Sequence, residues 1–273
     1  MAKKARTLPR IAGHKPGDST GPAETLASPG ATIAIYSVKG GVGKTTLAAN
    51  LAWCSAALAG RETLLWDLDA AGGAGFLYGV EPRRAKPAES VIAMERDPAK
   101  LYRKTRTDRL RVLPADESIR ALDAQLALIG KRKRIAKLAD RLARQHERIV
   151  LDCPPVLSET SAQVMRAADI VIVPLPPSPL SARAFELVAR QVAEAGKRRP
   201  AILPVHSMLD LRRKLHREAR EANPDWPAIP YASIIEQGAV HQRPVGEIAP
   251  SSPILRRFAH LWEAIEAKLA QRQ

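Results

Sequence analysis

The sequence predicts an α/β protein: a mostly parallel twisted sheet with helices on both faces. Three observations carry this. Apolar runs of strand length recur at 32–36, 63–68, 149–151 and 168–175 and alternate with segments of helical period. The runs are nearly continuous in apolar residues, as strands buried on both faces of a parallel sheet must be. Three of them lead into a glycine loop or aspartates, groups that an open parallel sheet gathers at the carboxyl ends of its strands.

The first run, Thr32 to Tyr36, passes into Lys39-Gly40-Gly41-Val42-Gly43-Lys44-Thr45-Thr46, and Leu47, Leu51 and the alanines between them continue at helical spacing. Strand, glycine loop and helix in that order form a phosphate cradle. Glycines let the backbone turn tightly, with successive N–H groups facing a concavity. The helix starting at Lys44 adds the positive end of its dipole. At this spacing Lys44 neutralises the β- and γ-phosphates of a nucleotide and the Thr45 hydroxyl ligates Mg2+.

The second strand, from Glu62, ends in Asp67-Leu68-Asp69. Alternation aims both carboxylates to one side, the ligand crevice, with Leu68 opposite. A carboxylate there can hold an attacking water in line with a γ-phosphate. Phe76, Leu77 and Val80 read as core. A short helical turn is expected at 90–94 and a brief strand at 110–113. Basic-faced amphipathic helices are expected at 119–128 and 135–142.

Arg148-Ile149-Val150-Leu151-Asp152-Cys153-Pro154-Pro155 is a strand ending in an aspartate, the Walker B pattern, in which Asp152 holds magnesium through water. Cys153 reads as a small buried side chain. A strand over 168–175 is closed by prolines before a helix near Ser181. Another begins at Ala201 and runs on through Asp210. The last helix, 254–269, puts Leu255, Phe258, Leu261, Trp262, Ile265 and Leu269 on one stripe, too apolar to leave exposed, so it should dock on the sheet. Glu263 and Glu266 on that helix oppose anionic lipid. His206 and His241 are isolated and are assigned no metal role.

The 273 residues suit one domain over 31–273 behind a basic, disordered tail over 1–30. No apolar run reaches the roughly 18 to 20 residues of a membrane helix, and no secretory signal follows the first lysines. Two cysteines without metal-ligand spacing fit a reducing cytoplasm. The net charge of +15 crowds into 131–134, 197–199, 212–214 and 256–257 and calls for a polyanion, most simply nucleic acid. Scarce aromatics argue against base stacking and for sequence-independent duplex binding.

Lys39 to Thr46, KGGVGKTT, resembles the deviant Walker A motif of the ParA/MinD family. Asp67-Leu68-Asp69, Asp152-Cys153-Pro154-Pro155, the strand and proline–serine loop over 168–180, Met208-Leu209-Asp210-Leu211-Arg212 and the stretch from Ile229 to Pro253 follow in the family's order, so the resemblance covers about residues 31–270. It implies a P-loop NTPase fold, ATP and Mg2+ as cofactors, and an ATPase that is slow until a partner stimulates it. It implies that Lys39 reaches across an ATP-dependent homodimer to the other subunit's nucleotide, and that Gly40, Gly41, Val42, Gly43, Lys44, Thr45 and Thr46 hold the phosphates, with Asp67 close by. Asp69 orients the attacking water, so Lys39, Lys44 and Asp69 form the catalytic set. Thr45 and Asp152 serve the metal. Met208, Pro230 and Tyr231 flank the adenine, and Arg212, with Arg213, Lys214 and Arg217, meets non-specific double-stranded DNA.

The chain departs from that pattern in two places. Ala70-Ala71 stands where the family has Pro-Gln, and the softer Gly72-Gly73-Ala74-Gly75 puts the positioning of Asp69 and the hydrolysis rate in question. Tyr231 and Ile234 occupy places where relatives often carry arginines. The resemblance implies an ATP-dependent partition ATPase, cytoplasmic and nucleoid-associated, working with a ParB-like or adaptor protein on a plasmid, chromosome or protein cargo. A MinD-like membrane-surface positioning ATPase and a P-loop metabolic ligase stay open as alternatives.

Overall fold

The computed structural model describes residues 30–82, 97–121, 134–196 and 199–272. The tail read at 1–30, except its last residue, the turn at 90–94, most of the helix at 119–128 and the basic residues 131–133 and 197–198 lie outside the described residues.

Strands β1 (Ala31–Ile35), β2 (Thr63–Asp67), β3 (Arg103–Lys104), β4 (Leu110–Leu113), β5 (Arg148–Asp152), β6 (Ile170–Leu175), β7 (Ala201–Leu209) and β8 (Ala228–Pro230) form one sheet. Its order is β3-β4-β2-β5-β1-β6-β7-β8, and every pairing is parallel except β3 with β4. The chain builds outward from β1 on one side, returns as β5, and crosses to the other side as β6. The order therefore reverses at β1, and the crevice of an open α/β sheet lies where that happens.

Continuous apolar runs appear because each strand feeds two cores. Ile33, Ile35, Leu65, Val150, Ile170 and Ile172 point into one; Ala34, Tyr36, Trp66, Leu151, Val171 and Val173 point into the other. The first core is covered by α1 (Lys44–Trp53) and α9 (Pro253–Ala270), the second by α3 (Arg134–Leu142), α4 (Glu159–Ala167) and α5 (Pro179–Ala193). The starts of three helices follow local chemistry. Ser158 and Ser161 form a capping box on α4, while Ser178 and Ser252 cap α5 and α9 with proline at the first helical position.

The predicted stripe on α9 is buried. Glu266, read from the sequence only as opposing anionic lipid, accepts two hydrogen bonds of 2.7 and 2.6 Å from Arg148 and ties α9 to β5. Phe76 corrects the expectation of core: at the end of the short helix α2 (Gly73–Phe76) it is 50% exposed, while Leu77 and Val80 are partly buried. β3 and β8 were not foreseen as strands, because two or three residues are too few to show a period. The helical run after the phosphate loop also continues further than its alanines suggest, through a π-helical turn over Cys54–Leu58.

Remaining helices lie beyond β7. They are α6 (Lys214–Ala222), α7 (Ser233–His241) and α8 (Val245–Ile248). Asn50 of α1 fixes this end by accepting from the Val245 amide at 2.8 Å. Gly246 lies flat on Trp53, where any Cβ would stand 2.3 Å from the indole ring.

Candidate nucleotide site

The loop after β1 adopts the backbone that its glycines allow. Gly41 and Gly43 have φ of 68° and 89°, the left-handed region that side-chain-bearing residues avoid. Gly43 is the N-cap of α1 and supplies no side chain to its free amides, and the first turn carries no acidic residue. Those amides and the positive end of α1 are thus available to an anion. Lys44 is buried, and its ammonium donates to the Lys39 carbonyl at 3.2 Å, folding back across the loop. Burial holds its pKa below the ordinary lysine value, partly countered by Asp152 and Asp69. Lys39, at the start of the loop, is half-buried.

The two predicted carboxylate strands meet here. Asp67 and Asp152 are register partners at the ends of β2 and β5, and both are buried. Asp67 accepts from the amides of Asp69 (3.1 Å), Ala74 (2.9 Å) and Gly75 (3.4 Å), so it caps α2. Burial still pushes it up to about 7. Asp152 is also raised well above the usual carboxylate range, by burial first and by the charge of Asp67 second; Thr45 and Lys44 act in the opposite direction. Neither oxygen of Asp152 makes a hydrogen bond of ordinary geometry in the protein, though the Thr45 hydroxyl lies near enough to favour its charged form. Two orphaned carboxylate oxygens in a dry site next to a threonine hydroxyl fit a divalent cation, which takes oxygen ligands and removes the cost of burying the charge. Thr45 and Asp152 are the residues that would hold Mg2+.

The segment read as a soft loop is a short capped helix packed on the cradle. Asp69 accepts from the Ala71 amide at 3.0 Å and is half-exposed on the Lys44 side. Leu68 faces away into the core, as alternation requires.

A cavity of about 310 Å³ opens beside the loop, lined by Val42, Gly43, Thr46, Met208, Pro230 and Tyr231 among others. The three residues foreseen at the adenine therefore share one apolar chamber with the phosphate loop. Met208 sits at φ 52°, where the β7–β8 register slips, and its methyl lies close to Gly43. Ser207, which the sequence reading missed, places a buried hydroxyl without a protein partner at this cavity. Ile235, Glu236 and Ala239 of α7 were missed too; their only sequence signal is their position just after β8. Tyr231 is exposed and donates to Glu236 at 2.5 Å.

Arg212, Arg213, Lys214 and Arg217 all lie just past β7, in one exposed segment next to this chamber. Part of their charge is committed locally. Asp210 accepts twice from the Arg212 guanidinium, at 2.8 and 2.9 Å, and Arg217 donates to the carbonyls of Leu211 and Arg212. Lys214 stands 3.6 Å from Glu218. His206 is buried against Trp226 and His216 accepts from the Asp210 amide, so both histidines have structural contacts.

Glycine loop, capping helix, paired carboxylates and base-sized chamber define a P-loop nucleotide protein. Residues 30–203 match the family model described as an AAA domain. Over 153 residues the chain is 36% identical to the chromosome partitioning protein ParA of Myxococcus xanthus, an alignment covering 55% of this chain and 53% of that protein. Over 148 residues it is 30% identical to the sporulation initiation inhibitor protein Soj of Bacillus subtilis, covering 54% and 58%. The cell division ATPase MinD of Pyrococcus furiosus superposes with a TM-score of 0.72 at 26% identity over 87% of this chain and 99% of that one. The chain belongs to the ParA/MinD family of AAA-domain P-loop proteins. It spans about half the length of the curated relatives it matches.

Proposed function

We propose that this protein is an ATP-dependent partition ATPase that binds Mg·ATP in the cavity between the phosphate loop, β7 and β8. The observation that carries the reading is the buried, unpartnered Asp152 carboxylate beneath Thr45 and the left-handed glycines. In this reading the loop amides and Lys44 bind the phosphates, Thr45 and Asp152 hold the cation, and Asp69 orients the attacking water. The cation, when bound, neutralises charge on the transferring phosphoryl group.

Lys39 then contacts the nucleotide of a second copy, so ATP favours a face-to-face homodimer because the paired state binds it better. Pairing doubles the exposed basic segment at 212–217, and DNA affinity rises with the number of phosphate contacts. A ParB-like or adaptor protein stimulates hydrolysis and releases the complex, moving a plasmid, chromosome or protein cargo. The packed α9 favours this over a MinD-like membrane reading, since its apolar stripe is already buried on the sheet.

Gel-shift titration on random duplex DNA with ATP, ADP and no nucleotide tests the switch. ATP-selective binding that Lys39→Ala abolishes, while that variant keeps its ATP affinity, supports the reading. DNA binding indifferent to nucleotide, or an alanine variant that pairs and coats DNA normally, overturns it.

A further inference from the structure

The two register-partner aspartates at the ends of β2 and β5 differ in what they hold. Asp152 makes no hydrogen bond of ordinary geometry, whereas both oxygens of Asp67 are engaged. Oδ1 of Asp67 accepts from the Asp69 amide at 3.1 Å, and Oδ2 accepts from the Ala74 and Gly75 amides at 2.9 and 3.4 Å. Asp67 is 1% exposed, and three backbone donors offset the cost of burying its carboxylate without a cation. The carboxylates that act on the Lys44 ammonium are those of Asp152 and Asp69.

Each oxygen of Asp67 leads to a different part of the site. Oδ1 anchors the start of a turn that the Gly72 amide closes on the Asp69 carbonyl at 2.9 Å. Asp69 sits in that turn, so the anchor on its amide governs where its carboxylate points. Oδ2 anchors α2, which is wedged in place. On one side Gly73 backs Thr45; elsewhere on the helix Gly75 lies against the Val80 carbonyl and Pro114, where a Cβ would stand 3.0 and 3.2 Å away. Gly72, at φ 66°, joins the turn to the helix. Ala70 is the second residue of the turn, the position where proline would fix φ. With alanine there, the turn is held by hydrogen bonds and not by a ring.

We propose that Asp67 is a positioning residue of the ATPase: it touches neither nucleotide nor cation, and its one carboxylate sets Asp69 through the turn and Thr45 through α2. The roles of Asp69 and Thr45 rest on the nucleotide reading above; the hold of Asp67 on residues 69–75 does not.

Asp67→Asn in the full chain tests this. The amide keeps the shape and one acceptor but turns an NH2 donor against a backbone N–H on one side. Without ligand, hydrogen exchange at Asp69, Ala74 or Gly75 should quicken by about tenfold. The non-hydrolysable analogue AMPPNP should bind without Mg2+ within about twofold of the parent, because the loop amides and Lys44 are untouched. The variant should keep a gain in affinity on adding Mg2+, which Asp152→Asn should lose. Its single-turnover hydrolysis rate at saturating Mg·ATP should fall by about tenfold. In Asp67→Asn with Ala70→Pro the rate should return to within about threefold of the parent, since proline closes the same turn. Ala70→Gly, which loosens the turn without touching the buried pair, should slow hydrolysis by about threefold.

Parental exchange and parental rates in Asp67→Asn and Ala70→Gly overturn the proposal. Loss of the whole Mg2+-dependent gain in Asp67→Asn, as in Asp152→Asn, makes Asp67 a ligand of the cation and overturns it too. So does a slowed rate that Ala70→Pro leaves slowed. AMPPNP that fails to bind even the parent refutes the nucleotide reading, with the hold on residues 69–75 still decided by exchange.

Discussion

Gly73 and Thr45 are in backbone-to-side-chain contact: a Cβ on Gly73 would stand 2.9 Å from the Thr45 methyl and 3.4 Å from its hydroxyl. Gly73 has no left-handed φ, so the glycine is required by space and not by conformation. Gly73→Ala adds a methyl at a helical position where alanine is the better helix former, yet displaces the threonine that would hold the cation. Its expected outcome is a thermal stability lowered by about 1 kcal/mol through the crowding and about tenfold weaker Mg·ATP binding, near 1.4 kcal/mol. Calorimetric titration with and without Mg2+ measures this, and an affinity equal to the parent's would show that Thr45 does not serve the metal.

Asp152→Asn separates the cation from the nucleotide. Burial and Asp67 hold Asp152 well above the usual carboxylate range, so the amide replaces a group already disposed to be neutral. The melting temperature without ligand should move little. Nucleotide at about 100 times its Kd stabilises by about 2.7 kcal/mol, and the part of that gain that requires Mg2+ should vanish in the variant. Thermal shifts with ATP alone and with ATP plus Mg2+ supply the comparison.

The Tyr36 hydroxyl, fully buried, donates to the Val156 carbonyl at 2.9 Å and joins the strand before the phosphate loop to the segment after Asp152. Tyr36→Phe leaves the ring in place and orphans that carbonyl. The cost should be about 1 kcal/mol, a fall of about 2–4 °C in Tm. Hydrogen exchange should quicken at 156–158 and stay unchanged in β1; uniform exchange across both would remove Tyr36 as the tether.

Acid should destabilise the protein through His146. Burial, with Arg111 adding, pushes this histidine down to about 4, while in the unfolded chain it titrates near 6.5. Between those values the unfolded state binds the proton and the native state does not. The stability from the neutral ring is complete above pH 6.5 and is lost as pH falls toward 4, by at most about 3 kcal/mol. Melting at pH 7.5 and pH 5 should show a smaller drop for His146→Gln than for the parent.

The cradle was legible because everything it needs is contiguous. Positive φ at Gly41 and Gly43, a helix opening at Lys44 and a buried strand before it are each written within about twenty residues. Asp67 and Asp152 could be named from strand ends, but not as neighbours, since the β2–β5 pairing joins residues 85 positions apart. Phe76 misled because an apolar residue after a strand looks like core unless the surface it faces is known. Ser207 and α7 went unread because nothing in their local pattern records which cavity they border.

Residue type and local spacing alone determined the phosphate loop, the two carboxylate strands and the buried stripe of the last helix, because backbone preference and hydrophobic period act over a few residues. Only the tertiary structure decided that Gly73 backs Thr45, that Asp152 is left without an ordinary hydrogen bond, that Glu266 holds Arg148, and that α7 borders the nucleotide chamber. Those relationships depend on strand register and helix docking, where contacts between distant segments and the exclusion of water set the energy.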